Sequence, residues 1–147
     1  MTAKRYSMRN MQPRDMAKII ELHEAQNERD GTHYPLPRMF GEKGQFDHDI
    51  ALALAVERDS VVTQGVYFQR GSIVEMCFAG CDARSSLYVR NETEAVKYTL
   101  RSLGYKGVRS DIPLVRVAEL EKSLLATGFK RTDGEFASFF LDLEGHQ

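Results

Sequence analysis

The sequence predicts an α/β (α+β) fold: a mixed, mostly antiparallel central sheet of about six to seven strands flanked by helices. Three observations carry this. Between Asn91 and Leu143, two amphipathic helices each end at a glycine followed by an aromatic residue, Gly104-Tyr105 and Gly128-Phe129. A short extended segment follows each helix, and the chain closes on a pair of alternating strands. Ahead of them, residues 50–79 read as three strands joined by tight turns, and an opening strand and helix precede those.

Each element has a local reason. Tyr6 to Met11 reads as a strand. Gln12-Pro13-Arg14-Asp15 opens a helix, because proline suits the first helical position and an acid suits the first turn. Met16, Ile19, Ile20 and His23 follow at the spacing of one buried helical face, which makes His23 a packing histidine. The helix fades near Glu28 to Gly31. Residues 31–49 show no clean period, and Pro35 and Pro37 remove backbone donors. A loop of that length either carries function or hides a short helix; Tyr34, Phe40 and Phe46 suggest that it is packed down.

Ile50 to Glu57 is a strand, although its alanines also suit a helix. Arg58-Asp59-Ser60 turns the chain, Val61 to Arg70 returns, Gly71 turns again, and Ser72 to Ala79 completes an antiparallel meander. Gly65 inside the second strand marks a bulge or a close approach of backbone. Gly80 to Arg90 connects to a helix that starts with Asn91 and Glu94 as a capping box. Val96, Leu100 and Leu103 form its core face, and Gly104 is its left-handed stop. Lys97, Arg101 and Lys106 then read as a solvated face. Lys106 to Asp111 is a strand. Pro113 begins a helix with Leu114, Val117, Leu120 and Leu124 inward, ended by Gly128. Phe129 to Asp133 and Glu135 to Leu143 are strands joined through Asp133-Gly134, a strong hairpin pair. Phe136, Phe139, Phe140 and Leu141 are core residues of the last strand.

Composition narrows the function. A chain of 147 residues is read as a single domain, 1–147, and is long enough to fold without a metal or disulfide. The formal net charge of −1 argues against bulk nucleic-acid binding, which needs a basic surface to displace counterions. No run approaches the roughly 18 apolar residues of a membrane span. The first ten residues lack the apolar stretch of a signal peptide, so a cytoplasmic protein is expected. Cys77 and Cys81 are too close in sequence for a useful structural disulfide and have no neighbouring ligands for a metal, so they read as free thiols. No metal is expected.

The element order, strand, helix, long loop, three-strand meander, helix, strand, helix, two strands, resembles the GNAT family of acyl-CoA-dependent N-acyltransferases over essentially the whole chain. The opening MRNMQPRDMAKIIELHE resembles the family's first strand and helix, and LEKSLLATGFKRTD its late helix-to-strand segment. The resemblance implies acetyl-CoA as acyl donor and a small-molecule or peptide amine as acceptor. Two departures stand out. The family's coenzyme A motif, Q/R-x-x-G-x-G/A, lets backbone amides approach a pyrophosphate at a helix N-terminus. Here two registers compete: the one from Arg84 has no glycine, and the one from Arg90 keeps only the arginine and the final alanine. Glu92 and Glu94 would oppose an anion there. Counting back from Gly128-Phe129, the family's proton-donating tyrosine falls on Leu124. A thiolate leaves without help, because a thiol pKa is near 8–9, so the loss lowers rate without forbidding reaction.

The resemblance also assigns residues. Glu75, in VEMCF, stands where such enzymes hold a base that deprotonates the acceptor amine. The backbone of Met76, Cys77 and Phe78 would hold the pantetheine arm and polarise the thioester carbonyl. Arg84 and Arg90, with Asn91, would meet the phosphates. His33 and Tyr34 would line the acceptor site. Cys77 as a nucleophile would need an activating base, and the sequence shows none. The rival reading is the same fold used as a catalytically silent structural or binding module. An exposed edge strand, the last one, would allow a homodimer.

Overall fold

The structure, a computed structural model, describes residues 6–71, 73–81, 90–112, 121, 124–125, 128–132 and 137–144. Its strands are β1 (Tyr6–Asn10), β2 (Ile50–Arg58), β3 (Val61–Gln69), β4 (Val74–Cys81), β5 (Gly107–Ile112), β6 (Lys130–Thr132) and β7 (Ala137–Asp142); its helices are α1 (Met16–Asp30) and α2 (Arg90–Ser102). The seven strands form one sheet in the order β1-β2-β3-β4-β5-β7-β6. Pairing is parallel at β4–β5 and antiparallel at β1–β2, β2–β3, β5–β7 and β6–β7. The last strand is therefore not an edge, as its place in the sequence suggests. The return of the chain through β6 covers it, and the edges are β1 and β6. The chain divides into two compact units, Met1–Gln69 with Phe78–Ser85, and Arg70–Cys77 with Ser86–Gln147.

In the first unit, β2 is buried at every residue from Ile50 to Val56. Both of its faces are covered, so it needs no polar alternation. This settles the alanine-rich segment as strand: Ala51, Ala53 and Ala55 are small residues on one face, with Leu52, Leu54 and Val56 on the other. Asp59 and Ser60 both have positive φ, 51° and 68°, which gives the two-residue hairpin into β3 the twist its strands require. The extra residue of β3 is Thr63, between the pairs Val56↔Gln64 and Glu57↔Val62. The bulge thus falls two residues before Gly65, and Gly65 pairs regularly with Ala55.

α1 packs on β3 through Ile19, which is fully buried, whereas Ile20 is 42 % exposed and leaves the expected four-residue face. Proline does not sit in the α-helix itself: Pro13–Asp15 form a 3₁₀ turn ahead of it. Asp15 is more than a first-turn acid. It is buried, takes two hydrogen bonds from the Arg9 guanidinium at 2.8 Å each, and accepts the Gln12 amide at 2.7 Å. Arg9 also donates to Glu57 at 2.6 Å, so one guanidinium ties β1, the 3₁₀ turn and β2 together. α1 stops at Gly31, φ 65°. The following loop holds no helix. It is packed down by buried Met39 and by a bridge between Phe40 and Phe46, whose rings lie 5.6 Å apart.

The second unit is built on Val74, Met76, Leu100, Val108, Leu124, Phe129, Phe139, Leu141 and Leu143, all buried. α2 already includes Arg90, so Asn91 lies in its first turn and not ahead of it as a cap. Leu100 is buried, but Leu103 is 49 % exposed, because the helix ends under it. Gly104 and Gly128, φ 94° and 99°, stop their helices as expected. Beyond them the amides of Tyr105 and Phe129 reach back to the carbonyls of Leu100 and Leu124. Of the last helix, Glu121, Leu124 and Leu125 are described and helical; the rest, and Asp133-Gly134, lie outside the described residues. Arg101 does not stand free in solvent: its guanidinium donates to the Leu143 carbonyl at 3.4 Å. Phe139 and Leu141 are core, and Phe140 is half-buried on the other face of β7.

Candidate functional site

Side chains alternate along β4. Val74 and Met76 are buried, while Glu75 and Cys77 are half-buried on the opposite face. The parallel register with β5 runs over Val74↔Val108 and Glu75↔Arg109. It sets Arg109 beside Glu75, with Arg109 Nη2 3.6 Å from Glu75 Oε2. The two side chains are 52 % and 35 % exposed. One residue further along, the fully buried hydroxyl of Ser110 donates to the Met76 carbonyl at 3.1 Å. A side-chain bridge thus takes over at the end of the described parallel register and fixes the backbone next to Glu75.

β5 is held from its other side by β7, with Arg109 opposite Phe140 and Ser110 opposite Phe139. A Cβ at Gly107 would overlap Cζ and Cε2 of Phe140, so the ring lies over this glycine on the face that carries Arg109. Cys77 is in no disulfide and lies on the same face as Glu75. Among the described residues no group of three or more His, Cys, Asp or Glu is placed to hold a metal ion. No described helix is long and apolar enough to cross a membrane.

No family model matches the chain, and no curated protein matches it in sequence. Its backbone nevertheless matches a GNAT-family acetyltransferase from Staphylococcus aureus with a TM-score of 0.69, over 95 % of this chain and 99 % of that one, at 7 % identity. The chain has the GNAT fold. Two further solved structures agree. An N-acyl amino acid synthase from uncultured soil microbes matches with a TM-score of 0.65 over 97 % of this chain and 93 % of that one, at 13 % identity. The PaiA N-acetyltransferase from Thermoplasma acidophilum, in complex with coenzyme A, matches with a TM-score of 0.60 over 94 % and 99 %, at 16 % identity.

Within this GNAT-fold chain, the expected site residues fall into three groups. Glu75, Met76, Cys77 and Phe78 are consecutive on β4, and β5 brings Arg109 and Ser110 to the first two. Arg90 and Asn91 lie in the first turn of α2, and Arg84 lies outside the described residues. Glu75, Met76 and Cys77 belong to the second unit, whereas Phe78 belongs to the first, as do His33 and Tyr34 on the loop after α1. There the Tyr34 carbonyl is held by His23 Nε2 at 2.7 Å and by Asn27 Nδ2 at 3.0 Å, and the tyrosine is 51 % exposed. His23, half-buried on α1, is thus a satisfied histidine, and its partner is a carbonyl of the following loop. Leu124, the position counted back from Gly128-Phe129, is fully buried in the core and offers no proton donor.

Arg109 and Ser110 are the residues that reading the sequence missed. In GVRSDI the alternation alone puts Val108 and Ser110 inward and Arg109 outward. That pattern is legible. Which residue of another strand lies beside Arg109 depends on parallel pairing between segments more than 30 residues apart, and no local signal carries it.

Proposed function

We propose that the chain transfers an acyl group, acetyl in the simplest case, from an acyl-CoA thioester to an amine. The observation that carries this is Glu75: a half-buried carboxylate, 35 % exposed, on the fourth strand of a GNAT-fold sheet, at the end of the described parallel register with β5. In this reading Glu75 takes the proton that the acceptor ammonium must lose. The nitrogen lone pair then attacks the thioester carbonyl carbon; the C–N bond forms, the C–S bond breaks, and the thiolate leaves with the electron pair. The second proton of the nitrogen passes to the thiolate through solvent, because Leu124 has none to give. The products are the amide, coenzyme A as its thiol and one proton. The backbone of Met76, Cys77 and Phe78 holds the pantetheine arm, and Arg84, Arg90 and Asn91 meet the phosphates. His33 and Tyr34 line the acceptor side. The acceleration comes chiefly from bringing the two substrates together. The reading carries with it one cytoplasmic domain over residues 1–147.

Removing the base tests this. Glu75→Gln keeps shape and half-burial but takes no proton. We expect kcat for coenzyme A release from acetyl-CoA to fall by about 10²-fold or more, with the loss partly recovered at high pH, where free amine is abundant. An unchanged kcat across the pH range would remove Glu75 from the chemistry.

The silent-module reading also has observations in its favour. Besides the buried Leu124, Glu94 is exposed in the first part of α2 and paired with Lys97 at 3.2 Å, so this pair adds no net positive charge to a helix start that would have to receive phosphates. Turnover with any amine decides between the two.

A further inference from the structure

A strand covered on both faces carries apolar side chains on both, as β2 does from Ile50 to Val56. β4 and β5 are the fourth and fifth of seven strands in order, yet one face of this pair presents two opposite charges, 35 % and 52 % exposed. An exposed ion pair contributes little to stability. The pair sits on strands held by the Ser110–Met76 bridge and by β7, with the Phe140 ring on the same face.

We propose that Glu75 and Arg109 together bind an α-amino carboxylate, so that the acyl acceptor is a free amino acid or a small molecule with the same amine–carboxylate pair. This deepens the acyl-transfer reading and rests on it. The ammonium lies on the Glu75 carboxylate, and the substrate carboxylate lies on the Arg109 guanidinium. One carbon separates the two charged groups of an α-amino acid, which suits two protein charges only 3.6 Å apart. The planar fork of an arginine matches a carboxylate in two hydrogen bonds. Charge balance points the same way. A simple monoamine reaches Glu75 as a cation and meets the like charge of Arg109, whereas a zwitterion answers both charges at once. Phe140, half-buried opposite Arg109 on β7, gives an apolar flank for the acceptor's side chain.

The test compares free amino acids with their methyl esters, which keep the amine and lose the carboxylate charge. Coenzyme A release from acetyl-CoA and from octanoyl-CoA is followed by chromatography for both sets, with wild type, Arg109→Gln and Arg109→Lys. We expect the best amino acid to exceed its ester by about 30-fold or more in kcat/KM. In Arg109→Gln that ratio falls toward one, and Arg109→Lys keeps part of it. Both variants change a half-exposed side chain, and circular dichroism checks their fold. Acid and ester within threefold in wild type would overturn the acceptor class while leaving acyl transfer in place. A large ratio that survives Arg109→Gln would overturn the role of Arg109. No release with any amine and either donor would overturn the acyl-transfer reading, and this inference with it.

Discussion

At the scale of single residues, the clearest physical statement concerns Arg9, Asp15 and Glu57. The two hydrogen bonds from Arg9 hold the Asp15 carboxyl below its ordinary value of 3.8, against the opposing effect of burial, and the Gln12 amide adds to the lowering. Arg9 is in turn held more firmly charged, first by its hydrogen bonds to Asp15. A carboxylate whose pKa is lowered by folding stabilises the fold fully above its unfolded pKa, and the contribution fades as pH falls through the folded one. We expect Asp15→Asn to cost about 2–3 kcal/mol near neutral pH. The gap to wild type should narrow as the pH of urea or thermal unfolding is lowered from 7 toward 2. A gap independent of pH would mean that the pair does not act through the charged carboxylate. The sequence showed Asp15 as a helix-start acid. Its partner at position 9 became visible only once β1 and the 3₁₀ turn were in place.

At the scale of elements, most boundaries were legible because local chemistry sets them. The glycine–aromatic stops at 104 and 128, the Asp59-Ser60 hairpin and the proline ahead of α1 need nothing from the rest of the chain. What failed depended on tertiary context. The helical face of α1 lost Ile20, the core face of α2 lost Leu103, and the bulge of β3 moved from Gly65 to Thr63. The last strand proved to be interior because β6 pairs outside it. β5 gives a test at this scale. Gly107 starts the strand under the Phe140 ring, so Gly107→Ala must push the ring aside or shift β5 against β7. A cost of about 1–3 kcal/mol in urea unfolding is expected, as for overpacking elsewhere. No change in the midpoint would show that the ring swings clear, and that Phe140 does not form a fixed flank beside Arg109.

For the molecule as a whole, the order of elements carried the fold and very little carried the site. The strand–helix–meander–helix–strand order is a property of the chain's hydrophobic pattern, and it led to the GNAT fold although identity to the solved structures compared is 7–16 %. The phosphate side of a thioester site was not legible in the same way. It depends on backbone amides and on a few glycines, and neither register that the resemblance offers has a glycine: the one from Arg84 has none, and the one from Arg90 keeps the arginine and Ala95 but has Thr93 at the glycine position. Glu75 was legible as a polar residue in an otherwise apolar strand; its partner Arg109 was not. The central claim is that this fold still takes an acyl-CoA, and titration of acetyl-CoA into the purified chain by calorimetry addresses it most directly. Saturable one-site binding in the micromolar range is expected. No heat of binding up to millimolar acetyl-CoA would contradict it and would leave a GNAT fold that has kept its sheet and lost its thioester.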